Sequence, residues 1–305
     1  MKINDFVRRY FALILLLSAG IGLIIPTADI NLTGIILVSL ASIIFSSFFQ
    51  IELNSKLFTE DMQNMLLFSG LRFIVFPVVI YYLFAHFSVL YAAVFLLFLL
   101  LPAAVSSPAF TTMFSGKISL SLKVLVFTSF LSIITIPLIC QFVLSKKVSI
   151  NTRQMFLTMV YTIVVPFIIH LPFRKSGTVR SVLIKNNPLI TSIGLSIIFI
   201  AAISHNRSVI LGSPLKMIIY AVISCCAYLL LYFLAYSFST TQDKTQRISF
   251  SVSSGANNIG LGVTITALFF PGEINLFFII AQVTWIFALI PVKYFYRIKK
   301  SPLSR

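Results

Sequence analysis

Acidic residues are what this sequence has least of. It holds seven Asp and Glu against 23 Lys and Arg in 305 residues, and only 10% of it is charged. A soluble globular chain is roughly 25% charged, so a water-facing surface of this size could not be covered. Cysteine is also scarce. Cys140, Cys225 and Cys226 lie inside apolar stretches and form no CxxC pair. They offer no disulfide framework or metal spacing and read as small packing residues. No nucleophile–base arrangement, metal-ligand cluster or phosphate-cradling glycine loop stands out, so neither an enzyme nor a resident cofactor is expected. The net charge of +16 has no basic face of a soluble domain to sit on, which argues against nucleic acid as a partner.

What is present is apolar. Hydrophobic residues make up 59% of the chain, and the mean hydropathy is +1.04. They fall in blocks such as Val89–Leu101 and Ile218–Phe238. About 20 such residues span a bilayer core of ~30 Å, where only helices and closed barrels satisfy the backbone. The blocks do not alternate as barrel strands do. The expectation is an all-α integral membrane protein with ten transmembrane helices, at about 7–25, 33–51, 64–84, 88–114, 118–143, 155–173, 188–204, 214–237, 246–270 and 274–295. The basic start followed by Tyr10–Ile25 looks like a signal peptide, but it is long enough to span and reads as a retained first helix. The connections are too short for a soluble domain, so residues 1–305 form a single transporter domain in the lipid bilayer. Placing the N-terminus in the cytoplasm puts 16 basic residues inside and 5 outside. That bias predicts a multi-pass cell-membrane protein with both termini cytoplasmic.

The chain also repeats itself. Val105-Ser106-Ser107-Pro108 in the fourth block matches Val252-Ser253-Ser254-Gly255 in the ninth. Each puts two hydroxyls before a helix breaker. The span after each carries Ile136-Pro137 or Ile290-Pro291. Five helices separate the halves, so the second enters from the opposite side. This predicts two inverted five-helix repeats, about 1–145 and 150–305, with helices four and nine broken near Pro108 and Gly255 and crossing each other. Broken helices at matching places in inverted halves mark a transporter's binding site, because they expose half-helix ends at membrane depth. Taken singly, each motif also fits small residues permitting close helix packing. The expected substrate-binding set is Ser106, Ser107, Pro108, Ser253, Ser254, Gly255, Asn257, Asn258 and Arg72, of which Ser106, Ser107, Ser253, Ser254, Asn257 and Asn258 should converge on one polar cavity near the midplane.

These residues carry a resemblance. The stretch from Leu101 to Ser121 resembles the fourth-to-fifth-span signature of the bile acid:sodium symporter family, within the bile/arsenite/riboflavin transporter superfamily. Ser253-Ser-Gly-Ala-Asn-Asn-Ile-Gly-Leu261 resembles its ninth-span signature, and Phe73-Ile-Val-Phe-Pro77 is similar to its third-span motif. Auxin-efflux and arsenite-efflux carriers share this ten-span architecture. The resemblance implies a core domain holding the crossed helices, a panel domain moving against it, and a small organic anion cotransported with two sodium ions.

The chain departs from that pattern at the ions. Ser107 and Ser121 match residues of the first sodium site, but the family's shared Glu reads as Ser253, its ninth-span Gln as Asn257 and its third-span Gln as Arg72; the Asn and Thr of the first site read as Pro108 and Leu125. The seven acids, Asp5, Asp29, Glu52, Glu60, Asp61, Asp243 and Glu273, all lie in a terminus, a loop or a span edge. A sodium ion at membrane depth wants an anion nearby, and no carboxylate proton relay is present either. Ser107, Ser121, Ser253, Asn257, Arg72 and Lys123 therefore read as ion-site remnants. Arg72 lies roughly 12 Å into its span at 1.5 Å per residue. It is either a snorkelling side chain or a fixed cation where sodium would bind; Lys123, shallower, favours snorkelling. His170 could carry a proton, though a lone His is more often a satisfied polar group. The sequence thus points to a secondary transporter of a small organic anion with weak or absent sodium coupling. An auxin-efflux-type carrier, or a sensor or scaffold that kept the fold without transport, are the alternatives. Sodium or a proton remains the candidate coupling partner.

Overall fold

A computed structural model describes residues 3–25, 32–50, 62–144, 150–239 and 241–296. Asp29, Glu52, Glu60, Asp61, Lys2, Lys56, Lys146, Lys147 and the basic tail from Arg297 lie outside the described residues. Among the described residues every regular element is helical. In chain order they are α1 (Ile3–Ile24), α2 (Leu32–Phe48), α3 (Met62–Ala85), α4 (Val89–Leu100), α5 (Ser107–Met113), α6 (Ile118–Leu144), α7 (Thr152–Phe173), α8 (Gly177–His205), α9 (Arg207–Gly212), α10 (Pro214–Ser237), α11 (Lys244–Gly255), α12 (Ile259–Phe269) and α13 (Gly272–Phe295). Five of these, α3, α6, α7, α8 and α10, are long and apolar enough to cross a membrane. Large apolar side chains such as Leu17, Val38, Phe142 and Leu215 are more than half exposed. A solvated surface would not carry so many; a lipid-facing one does.

Local sequence explains where the helices stop and bend. Leu101 precedes Pro102, whose ring disfavours the helical conformation in the residue before it. Leu101 accordingly sits at φ −62°, ψ 135°, and α4 ends. The chain resumes as α5 at Ser107, with Pro108 in the first turn, where its missing N–H has no partner to lose. Pro108 therefore starts a helix. The expectation that it breaks one is corrected: the break spans 101–106, and Pro102 makes it. In the other half α11 runs to Gly255, Ala256 leaves the helix at ψ 81°, and Asn258 caps α12 by accepting the Leu261 N–H at 3.2 Å. A side chain at Gly255 would place its Cβ 2.4 Å from the Tyr232 ring, so glycine is needed there for space.

Three long helices contain a wide π turn, Leu71–Val75 in α3, Cys140–Leu144 at the end of α6 and Val160–Val164 in α7. The first and last of these each end two residues before a proline, Pro77 or Pro166. A proline inside a helix removes a donor and crowds the carbonyl four residues back; widening the preceding turn relieves that crowding. Arg72 sits inside the first of these turns.

The two breaks meet. Ala104 N–H donates to Ala256 O at 2.6 Å, and Asn258 N–H donates to Pro102 O at 2.8 Å. Ala103 and Asn257 thereby form an isolated antiparallel bridge, which satisfies backbone groups that lipid or apolar protein could not. Elsewhere α8 packs along α1 and α2, α7 lies against α2, and α10 packs on α11 and α13.

Candidate functional site

The crossing divides its surroundings into two sides. On one side converge the C-terminal ends of α4 and α11, whose last carbonyls lack helical donors and carry the negative end of the helix dipole. Arg72 fills this side. Its Nε donates to Ser254 Oγ at 2.6 Å, Nη1 to Leu99 O at 2.5 Å, and Nη2 to Ser254 O and Asn257 Oδ1, each at 3.1 Å. The guanidinium also lies 4.7 Å from the Phe73 ring centre. Arg72 is 2% exposed, so it does not snorkel. Every partner is a neutral oxygen. Among the described residues no carboxylate pairs with it; the ion pair found there joins Lys216 of α10 to Glu273 of α13, far along the chain.

Beside this lies a smaller polar knot. Ser121 Oγ donates to Ser107 Oγ at 3.4 Å and shares a 3.0 Å bond with Ser253 Oγ, and all three serines are fully buried. These hydroxyls come from α6, α5 and α11, so the fold brings together three serines distant in sequence. Lys123, two residues on from Ser121, is 4% exposed, which corrects the expectation that it snorkels.

On the other side of the crossing is a cavity of about 720 Å³. Its walls come from α1, α2 and α8 on one face and from α5, α6, α10, α11, α12 and α13 on the other. Ser106, Pro108, Gly255, Asn257 and Asn258 line it; Ser107, Ser253, Ser254 and Arg72 do not. Ser106, Ser107, Ser253, Ser254, Asn257 and Asn258 were expected to share one polar cavity, and that expectation is corrected: Ser106, Asn257 and Asn258 line it, and the other three serines lie outside it. Ser253 and Ser254 face the buried interior, bonded to Ser121 and Arg72; the chain leaves the helix at Ala256, so Asn257 follows a different direction. Asn257 joins the two sides. It lines the cavity, accepts from Arg72, and donates from Nδ2 to Phe98 O at 2.9 Å. One amide therefore separates the buried cation from the cavity.

Several lining residues escaped the sequence reading: Gln282 of α13, Asn187 and Thr191 of α8, and Ser47 and Gln50 at the end of α2. Gln282 had a signal, an amide in the middle of an apolar span. Asn187 donates to Ser46 and Ser47 at 2.9 and 3.3 Å, tying the α8 wall to the α2 wall. His170 is buried against Phe48, Phe49 and Phe167 and does not line the cavity. The described residues contain no group of three or more potential metal ligands.

Residues 37–213, more than half the chain, match the model of the Sodium Bile acid symporter family. The matched stretch holds Arg72, the first break and the serines of α5 and α6; the second break lies beyond it. No curated protein matches the chain.

Proposed function

The chain belongs to the Sodium Bile acid symporter family, and on that premise we propose that it is a secondary transporter moving a small organic anion by alternating access, with little dependence on sodium. It is an integral membrane protein, and members of this family transport solutes rather than transform them. The observation that carries the finer reading is Arg72. A permanent cation is bound by the carbonyl ends of two broken helices, one amide away from a cavity large enough for a bile-acid-sized solute. In this reading Arg72 supplies the positive charge that a bound sodium ion would bring, and the solute's anionic group seats at the Asn257–Asn258 end of the cavity. An uncompensated buried charge is costly, so an anion arriving nearby is stabilised by it.

We read the thirteen helices as ten spans, taking α4–α5 and α11–α12 as one broken span each and α9 as a loop helix. Inverted repeats about 1–145 and 150–305 account for the matched breaks and their antiparallel pairing. A panel of α1, α2, α7 and α8 would move against a core of the remaining helices, with the cavity between them. The charge bias favours both termini in the cytoplasm of a cell-membrane protein. The cavity then reaches the cytoplasmic side through the exposed Gln50 and Thr112, as in an inward-open state.

Cysteine labelling tests this. Cys225 and Cys226 are replaced by serine, the buried Cys140 is kept, and Ser106→Cys is introduced. A membrane-impermeant maleimide should label it from the cytoplasmic face of inverted vesicles, and cholate should slow the labelling. Labelling from the outer face alone, or labelling indifferent to cholate, would count against the proposal.

A further inference from the structure

We propose that Asn206 and Asn275 form a latch that holds the outer side of the cavity shut, and that its strength sets how often the cavity opens outward. The inference rests on the alternating-access reading above.

The panel helix α8 runs from open space into a closed seam. Asn187, Thr191 and Leu195 line the cavity. Leu195 also presses on Gly260 of α12, where an added Cβ would stand 3.0 Å from it. Beyond it Ile198, Phe199 and Ala202 are buried, and Asn206 ends the helix. From Asn187 to Asn206 the helix covers about 28 Å at roughly 1.5 Å per residue, close to the ~30 Å of a bilayer core. The core helix α13 shows the same gradient. Gln282 and Trp285 line the cavity, and Asn275, near the start of the helix, does not. Panel and core are therefore apart at one end of these helices and in contact at the other.

At the closed end Asn206 Nδ2 donates to Asn275 Oδ1 at 2.8 Å, and the two residues are 3% and 1% exposed. Each amide is also anchored in its own half of the protein. Asn206 Nδ2 donates to Ala202 O at 2.8 Å, within α8. Asn275 Nδ2 donates to Val263 O and Thr266 Oγ1 of α12, each at 2.9 Å. Parting panel from core breaks the Asn206–Asn275 bond while both amides keep these internal partners. Water entering the opened seam can take up the freed acceptor. Such a bond biases an equilibrium without locking it. Gly272, the first residue of α13, makes room for the latch: a Cβ there would stand 2.7 Å from Asn206 Oδ1. A methyl group at that position would wedge the pair apart. The Lys216–Glu273 ion pair beside it joins α10 to α13, both in the core, and does not cross the seam.

The test uses the Ser106→Cys reporter, labelled by the impermeant maleimide in right-side-out and in inverted vesicles. Ser106 lies in the first break and lines the cavity, so its labelling from outside reports opening of the cavity rather than loosening around Asn206. The ratio of outer-face to cytoplasmic-face labelling rates follows the ratio of outward-open to inward-open protein. Asn206→Ala should raise that ratio about fivefold, the factor that one ordinary hydrogen bond carries in an equilibrium. The end of α8 stays satisfied in this variant, because the backbone N–H of residue 206 also donates to Ala202 O, at 3.2 Å. Gly272→Ala should raise the ratio in the same direction with both amides still present. Each variant is first shown to elute in detergent as the parent reporter does. An unchanged ratio in either folded variant would overturn the inference, including the case where labelling changes equally from both faces, which would make the pair mere packing at a joint. A parent reporter labelled from the outer face alone would instead count against the proposed function, and the inference would fall with it.

Discussion

Replacing Arg72 with Gln should turn a protein indifferent to sodium into one that sodium stabilises. The wild-type guanidinium holds Leu99 O, Ser254 O, Ser254 Oγ and Asn257 Oδ1. A sodium ion using those same oxygens would stand about 4 Å from the guanidinium, where two unit charges repel by roughly 4 kcal/mol at an effective dielectric of 20. That is about a thousandfold in affinity. Arg72→Gln removes the repulsion and frees hard oxygen ligands of the kind sodium prefers. The Gln side chain is shorter and leaves some of those acceptors unmet, so the variant in choline chloride should be less stable by about 2–4 kcal/mol, at about 1–3 kcal/mol per buried acceptor. Sodium should then recover part of the loss. At a concentration 100 times its dissociation constant, a ligand stabilises by about 2.7 kcal/mol; at a thousandfold weaker affinity the same concentration gives under about 0.1 kcal/mol. The assay is thermal unfolding in detergent, sodium chloride against choline chloride at equal ionic strength. A sodium-dependent rise in the wild-type midpoint as large as the variant's would refute the reasoning, and so would a variant indifferent to both salts.

Two further outcomes follow from the packing. Gly255→Ala would put a methyl carbon 2.4 to 2.5 Å from three atoms of the Tyr232 ring, itself 2% exposed. The strain should cost about 1–3 kcal/mol or more and lower the unfolding midpoint, while the double variant Gly255→Ala/Tyr232→Leu should recover most of it; no recovery would mean that the backbone at the break, and not the ring, is the obstacle. Lys216→Met removes the Lys216–Glu273 pair between α10 and α13, whose side chains are 32% and 45% exposed. Its loss should cost at most about 1 kcal/mol and leave transport unchanged, which uptake and unfolding measured side by side would check.

Much of the fold was legible because a bilayer imposes strict lengths and forbids unpaired backbone. The expected span at 214–237 coincides with α10, and the paired Ser-Ser motifs located both breaks within a few residues. The errors have local causes. Two prolines, Pro102 and Pro108, bracket the first break, and the sequence does not say which one breaks and which one starts a helix; the extended Leu101 decides it. The candidate site was read as one cavity because motif residues adjacent in sequence were assumed to face together. Instead Ser253 turns toward Ser121 and Ser254 toward Arg72, while Gly255, at the end of α11, and Asn257, beyond it, line the open space. Arg72 itself could be placed only by depth, and depth alone leaves the snorkelling option open; the convergence of two helix C-termini on it is a long-range fact. Asn187 and Gln282 were missed because single amides carry no motif.

In the proposed function, resident Arg72 does what a transported cation would otherwise do. The most direct measurement is uptake of labelled cholate by proteoliposomes containing the wild-type protein, with external sodium replaced in turn by potassium and by choline. Saturable uptake at nearly the same rate in all three salts, lost in Arg72→Leu, is the predicted result. Uptake that collapses when sodium is withdrawn would contradict it.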